Sequence, residues 1–107
     1  MFTRTVEVTS KSGKARELAN IINDKALPIL KKQKGFVDET VLVSDKDDNR
    51  VLSLSFWNTR EDAEQYHRAE YQKVNEMVRH LLEAEPTIRT FDVHTSTTHR
   101  IAAGKAA

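Results

Sequence analysis

The chain begins with a two-residue repeat of side-chain types, which is the pattern of a β-strand. One set is Phe2, Arg4, Val6 and Val8, and the alternating set is Thr3, Thr5, Glu7 and Thr9. Because many of these residues are β-branched, the pattern predicts a first strand over residues 2–9. From Ala15 the apolar spacing changes to three and four, which predicts a helix to about Lys34. Pro28 lacks the N–H donor that the helix needs, so we expect a kink or a break there, and Gly35 suits the left-handed helix end.

The middle of the chain has the pattern of an antiparallel hairpin followed by a second helix. Residues 36–43 and 51–57 are the two strands, and residues 44–50 form the polar turn between them. Thr59 and Asp62 have the spacing of a capping box, which opens a helix from Arg60 to about Glu83. Its predicted inward stripe is Ala63, Tyr66, His67, Tyr71, Val74, Val78 and Leu81. Pro86 prevents further helix, and residues 87–96 alternate again as a fourth strand.

The order strand, helix, hairpin, helix, strand predicts one α+β domain of the ferredoxin-like βαββαβ type. Such a domain has a four-stranded antiparallel sheet with both helices on one face. We assign residues 1–96 to this domain and residues 97–107 to a C-terminal tail of small and charged residues. The tail is expected to be either disordered or an arm over a partner subunit.

The sheet face opposite the helices is predicted to be too apolar for a single copy of the chain. On the second strand we assign Val37, Val41 and Val43 to this bare face. Because large exposed apolar patches usually mark interfaces, we expect a homodimer whose sheets cover each other. A monomer with a half-apolar sheet face is the alternative.

Composition and charge exclude several classes of partner. The net charge of +1 gives no overall field toward nucleic acid or an anionic membrane, so neither is an expected partner. The chain has no Cys, which excludes disulfides and a thiol nucleophile. The start has no apolar run of signal or membrane-span length, so the cytoplasm is the default location.

Two short motifs resemble metal sites but lack necessary ligands. The acidic turn at residues 45–50 has Arg50 where a calcium loop needs Gly, and Phe56 where it needs the bidentate Glu. Glu64 and His67 match the ligand pair of a di-iron helix bundle, but no second pair follows in the sequence. We therefore expect no metal, and the sequence also has no glycine-rich phosphate loop.

Nearly the whole chain, residues 3–95, resembles the antibiotic biosynthesis monooxygenase domain. The resemblance is carried by Gly35-Phe36 at the start of the second strand, the acidic hairpin turn, and the run Phe56-Trp57-Asn58-Thr59-Arg60-Glu61-Asp62-Ala63 followed by Tyr66-His67. It implies a ferredoxin-like domain paired into a dimeric α+β barrel. Members of this family include monooxygenases that oxidise phenols or hydroquinones to quinones without a cofactor.

The resemblance also implies a site at the start of the second helix. Trp57, Asn58 and Tyr71 are the candidate substrate-binding residues, although Trp57 also suits a packing role at the corner of sheet and helix. His67 and Tyr66 are the candidate catalytic residues. The family's usual spacing from Trp falls on Tyr66, while His67 has the ordinary pKa of a general base at neutral pH.

We therefore expect a cofactor-independent monooxygenase that acts on a small aromatic or quinone-like metabolite. On this interpretation a base deprotonates the phenol, and the electron-rich anion passes an electron directly to dioxygen. The alternative is a non-catalytic homodimer of the same fold that binds a small apolar or aromatic molecule. The two differ in whether polar groups converge on an apolar pocket between the second helix and the sheet.

Overall fold

The computed structural model describes residues 1–103 and contains one antiparallel sheet of four strands. The strands are β1 (Phe2–Thr9), β2 (Phe36–Val43), β3 (Arg50–Trp57) and β4 (Thr87–Asp92). Their spatial order is β2-β3-β1-β4, and the helices between them pack on one face of the sheet. The predicted ferredoxin-like α+β fold is confirmed. Residues 104–107 of the predicted tail lie outside the described residues.

The first helical segment widens just before its proline. It consists of α1 (Ala15–Ile21), a π-helical turn (Ile22–Ala26) and α2 (Leu27–Lys31), with Pro28 in the first turn of α2. Because Pro28 cannot donate to the preceding turn, the interruption expected from the sequence takes the form of this π turn. The segment ends at Lys31, before the predicted Lys34, and Gly35 has the predicted left-handed conformation with φ of 80°.

The second helical segment also contains a π turn. It consists of α3 (Arg60–Tyr66), the π turn (His67–Tyr71), α4 (Gln72–Val78) and a 3-10 turn (Arg79–Leu81). Of the predicted capping box, the structure shows the half made by Thr59, since the Asp62 N–H donates to Thr59 Oγ1 at 3.1 Å. In a π turn residues five apart repeat along the same side, so Tyr66 and Tyr71 both face the sheet. His67, which the sequence placed on the inward stripe, has an exposed side chain.

The core between sheet and helices consists of two neighbouring clusters. The larger is built around Leu18 and Val51, which are fully buried, and the smaller around Trp57. The Trp57 ring stacks on the Tyr66 ring with centroids 5.3 Å apart and meets Phe36 edge-on at 5.6 Å. These aromatic contacts fix the junction of β2, β3 and α3.

The face assigned to β2 from the sequence was wrong. Val41 and Val43 pack against the helices in the larger core cluster instead of on the bare face. The cause is a β-bulge, seen as a register shift between Phe36 and Asp38 that leaves Val37 as the extra residue. Because a bulge reverses the alternation, Phe36 before it and Val41 after it both point toward the helices.

The outward face of the sheet is nevertheless apolar, with a different set of residues. Strand alternation and register place on it Leu42, Leu52, Leu54, Phe56 and Phe91. Leu42 and Phe91 are 48% and 51% exposed. The described chain therefore keeps the apolar surface from which a homodimer was predicted, and the homodimer stays a prediction.

The chain after β4 turns back across this outward face. β4 ends at Asp92 instead of the predicted Ser96, and His99 Nε2 lies 3.1 Å from Asp38 Oδ2 on β2. The His99 ring also contacts Phe56, with centroids 4.8 Å apart. The division between domain and tail at residue 96 stays a prediction. Among residues 1–103, no helix is long and apolar enough to cross a membrane.

Candidate active site

A cavity of about 60 Å³ lies between the sheet and the two helical segments. The first segment contributes only apolar side chains to it, namely Leu18, Ile22, Ala26 and Leu30. The polar lining comes from the strands and the second segment, namely Arg4, Glu39, Ser53, Ser55, Tyr66, Tyr71 and Asn75. A largely apolar cavity with a few convergent polar groups is the usual form of a small-molecule site.

Three of these polar residues form one row across the floor of the cavity. Arg4 on β1 pairs with Ser55 on β3, and Ser55 pairs in turn with Glu39 on β2. Neighbouring strands are about 5 Å apart, so the Cα atoms of Arg4 and Glu39 are roughly 10 Å apart. The cavity therefore has a cation at one end of its floor and a carboxylate at the other, with a hydroxyl between them.

Arg4 is a cation held almost entirely out of water. It is 4% exposed, and its Cζ lies 4.3 Å from the centre of the Tyr71 ring and 5.5 Å from that of Tyr66. Burial lowers the pKa of Arg4, but a guanidinium stays protonated in proteins. Its charge is partly balanced by the two ring faces, so it remains available to an anionic ligand.

The hydrogen bond between Arg4 and His67 fixes the state of the imidazole. Arg4 Nη2 lies 2.9 Å from His67 Nδ1, and because a guanidinium can only donate, Nδ1 is the acceptor. The His67 ring is then neutral, with its proton on Nε2. The loss of part of its hydration, together with the charges of Arg4 and Arg68, lowers the pKa of His67, which favours this neutral form.

Glu39 is the carboxylate of the cavity lining, and its burial favours the protonated acid. Desolvation raises the pKa of Glu39 to about 7, although the Ser53 hydroxyl, which donates to Oε2 at 3.3 Å, acts in the opposite direction. No charged partner in residues 1–103 offsets the burial. Glu39 is therefore a group that exchanges a proton near neutral pH.

The two tyrosines keep their protons and act as hydroxyl donors. Burial raises the pKa of Tyr66 to about 12 and also raises the pKa of Tyr71. Tyr66 is 3% exposed, whereas Tyr71 is half-buried. Both hydroxyls can donate a hydrogen bond to an oxygen of a bound molecule.

The five residues predicted from the sequence take up four kinds of position. Tyr66 and Tyr71 line the cavity. Trp57 is fully buried behind Tyr66, and its Nε1 donates to Ser55 Oγ at 2.9 Å, so it supports both the helix wall and the floor. His67 lines a neighbouring groove of about 250 Å³ on the other side of Arg4, and Asn58 is exposed at the corner before α3. The roles assigned to these five residues stay predictions.

Sequence reasoning missed the polar row. Arg4 shares its alternation set with Phe2, Val6 and Val8, so a charged residue was already assigned to an otherwise apolar strand face. Glu39 has the same relation to Val41 and Val43. Since Arg and Glu are rarely buried without a reason, a charge on an apolar strand face was the available signal.

Comparison with known proteins agrees with this architecture. The family model described as antibiotic biosynthesis monooxygenase matches residues 1–74, which include Arg4, Glu39, Tyr66 and Tyr71. Among curated proteins, none matches the chain.

Three solved structures illustrate the likeness in fold. The monooxygenase from the gene ActVA-Orf6 of Streptomyces coelicolor, in complex with nanaomycin D, has a TM-score of 0.77 and 15% identity, covering 89% of this chain and 88% of that one. SnoaB, a cofactor-independent oxygenase from Streptomyces nogalater, has a TM-score of 0.75 and 16% identity, covering 90% and 95%. A putative antibiotic biosynthesis monooxygenase from Nitrosomonas europaea has a TM-score of 0.72 and 17% identity, covering 87% and 98%.

At these identities the solved structures show the shared fold, and membership rests on the family model. That model covers more than half of the chain, from β1 through the π turn of the second helical segment. The chain belongs to the antibiotic biosynthesis monooxygenase family.

Proposed function

We propose that this protein is a cofactor-independent monooxygenase that oxidises a small phenolic or quinone-like aromatic metabolite in the cavity between the sheet and the second helical segment. The observation that carries the proposal is the position of Arg4, a permanent cation buried against two tyrosine rings in a largely apolar cavity. An apolar wall suits an aromatic ring, and a buried cation suits the anion that forms when a phenol loses its proton.

The chemistry that follows requires only the substrate and dioxygen. A phenolate is electron-rich and can pass electrons directly to dioxygen. When a phenol becomes a quinone, its O–H and one ring C–H supply the two hydrogens and the substrate supplies all four electrons; one oxygen atom enters the ring, and the other leaves as water. The protein's contribution is to form the phenolate, to stabilise it beside Arg4, and to keep it in a shielded site.

We assign the predicted residues to this scheme by their positions. Tyr66 and Tyr71 donate hydrogen bonds to substrate oxygens, and Trp57 keeps Tyr66 in place by stacking. Asn58 is proposed to contact the part of a substrate that extends past the corner of β3 and α3. His67 as proton acceptor stays a prediction. Its position also supports a role in orienting Arg4 through the hydrogen bond at Nδ1.

We also propose that the active form is a homodimer paired through the outward sheet face. Leu42 and Phe91 on that face are about half exposed, and such apolar surface is usually covered by another subunit. The cavity lies on the opposite face of the sheet, so pairing leaves it accessible.

Oxygen uptake tests the proposal. The protein, treated with a metal chelator, is incubated with a panel of anthrones and dihydroxynaphthalenes, and products are analysed by mass spectrometry. We expect uptake with at least one compound and a product that has gained one oxygen and lost two hydrogens. Binding is measured separately by fluorescence of Trp57, the single tryptophan, which stacks on the cavity residue Tyr66. Compounds that quench Trp57 without any uptake would favour the non-catalytic ligand-binding alternative.

A further inference from the structure

We infer that Glu39 is the catalytic residue that takes the proton from the phenolic substrate, and that Arg4, at the other end of the same row, holds the resulting phenolate. This assignment rests on the proposed function and names the proton acceptor of that same site. Glu39 was not among the residues selected from the sequence.

Glu39 is placed to act on a substrate that lies beside Arg4. Glu39 and Arg4 both flank Ser55 on the floor of the cavity, so a ring lying over Ser55 is within reach of both side chains. One end of the floor then provides an acceptor for a proton, and the other end provides a positive charge. The negative charge moves from Glu39 onto the substrate oxygen, toward Arg4, which favours the transfer.

Glu39 is also the group that remains when the other cavity groups, and His67 from the neighbouring groove, are considered as proton acceptors. Neutral His67 has one acceptor nitrogen, Nδ1, and Arg4 occupies it. Tyr66 and Tyr71 hold their own protons, because burial raises the pKa of both. Asn75, Ser53 and Ser55 are not bases at neutral pH. Glu39 is left as the acceptor, and its pKa of about 7 matches what a general base requires at neutral pH.

The proton step is balanced within the site. The O–H bond of the phenol breaks, an O–H bond forms on the Glu39 carboxylate, and the electron pair stays on the substrate oxygen. Dioxygen is then reduced by the phenolate as in the proposed function. The proton on Glu39 leaves with the water that forms, which returns the carboxylate to its starting state.

The pH dependence of this step involves few other groups. Arg4 from β1 and Tyr66 and Tyr71 from the second helical segment are the charged or titratable residues that line the cavity with Glu39. The first helical segment contributes only apolar side chains, and β3 contributes Ser53 and Ser55. Within this lining, Glu39 is the group that titrates near neutral pH.

The test is the rate of oxygen uptake as a function of pH for the full chain and for Glu39→Gln. The substrates are a series of related phenols whose own pKa values range from near 7 to near 10. For weakly acidic phenols we expect Glu39→Gln to lower kcat/KM by about a hundred- to ten-thousand-fold and to remove the loss of rate on the acidic side of neutral pH. For phenols that are already ionised in solution, kcat/KM should fall little in Glu39→Gln, because these substrates need no base.

Two measurements separate a loss of the base from damage to the site. Trp57 fluorescence should show that Glu39→Gln binds a preformed phenolate at least as tightly as the parent, since a competing negative charge has been removed. The control variant is Glu83→Gln. Glu83 is an exposed carboxylate just after the second helical segment ends at Leu81, so this variant should leave the rate and the pH profile unchanged.

The outcomes distinguish this inference from the proposed function. If Glu39→Gln loses the same factor in rate with every phenol, or if its rate still falls on the acidic side of neutral pH, the assignment of Glu39 is overturned. In either case the proposed function stands as long as the parent protein takes up oxygen. If the parent protein binds phenols but takes up no oxygen with any of them, both the proposed function and the assignment of Glu39 are overturned.

Discussion

The guanidinium carbon of Arg4 lies 4.3 Å from the centre of the Tyr71 ring, which joins the inner face of β1 to the π turn of the second helical segment. A regular α-helix would turn Tyr71 well away from the direction of Tyr66, because residues five apart do not repeat on one face. The π turn brings both rings toward the same cation. The helical irregularity and the buried charge therefore belong to one site.

We predict that Arg4→Met separates stability from function. Replacing a buried, incompletely paired charge by an apolar side chain of similar length should change the free energy of unfolding by no more than about 1 kcal/mol. Binding of a phenolate should weaken by at least about tenfold, because the buried cation is lost. Urea unfolding and Trp57 fluorescence titration measure the two effects.

The matched control for this variant is Arg4→Lys, which keeps the charge but not the planar group that stacks on Tyr71. It should retain part of the phenolate affinity. If Arg4→Met instead lowered the free energy of unfolding by more than about 3 kcal/mol, the main role of Arg4 would be to stabilise the fold and not to bind a ligand.

We predict that Glu39→Gln stabilises the protein above neutral pH. The pKa of Glu39 rises from its ordinary value of 4.5 to about 7 on folding, so the folded state binds more protons than the unfolded state between these values. Glu39 therefore lowers stability as pH rises from about 4.5 to 7, and its full cost is present above pH 7. That cost is about 1–2 kcal/mol after allowance for partial exposure of the carboxylate.

The measurement is the difference in unfolding free energy between parent and Glu39→Gln at pH 5 and pH 8. The difference should be near zero at pH 5 and should favour the variant at pH 8. Other groups, such as Glu7, whose pKa is lowered by Arg50, cancel in this comparison because both proteins contain them. A difference that does not change with pH would mean that Glu39 titrates as an ordinary exposed carboxylate.

We predict a homodimer in solution, with a mass by light scattering of about twice 12.2 kDa. Leu42→Glu combined with Phe91→Glu places charges on the two most exposed apolar residues of the outward face and should shift the mass toward the monomer. Asn20→Glu, on the exposed side of α1, is the control and should leave the mass unchanged. A parent protein that is monomeric at micromolar concentration would contradict the barrel expected from the family resemblance.

The element order was readable from the sequence because each element has a strong local signal. The alternation in β1 and the capping pair Thr59 and Asp62 are properties of neighbouring residues, and both are present in the structure. Which β2 residues face the helices could not be predicted, because one extra residue at Val37 reverses the alternation and no local signal marks the bulge. As a result, the prediction that the outward face is apolar was correct, but the β2 residues assigned to that face were wrong.

The candidate site was harder to predict because its groups come from distant parts of the chain. The contact between Arg4 and His67 joins residues 63 positions apart, and the row from Arg4 to Glu39 depends on the pairing of three strands. The tyrosines were selected through the family resemblance, but the π turn that aligns them with Arg4 has no simple sequence signal. Charged residues on apolar strand faces were the part of the site that the sequence did display.

His67 is the residue that the sequence predicted as the proton acceptor. Its Nδ1 accepts a hydrogen bond from Arg4 at 2.9 Å, and its ring stacks on Tyr71 with centroids 5.1 Å apart. From this arrangement we propose that His67 orients Arg4 instead of receiving a proton. We therefore expect His67→Ala to raise KM for phenolic substrates several-fold, to lower kcat by no more than about tenfold, and to leave the shape of the pH profile unchanged.

His67→Gln, whose amide oxygen can accept from Arg4, should restore most of the lost affinity. A fall in kcat of about two to four powers of ten, with loss of the acidic limb and no rescue by Gln, would instead make His67 the general base and remove that role from Glu39.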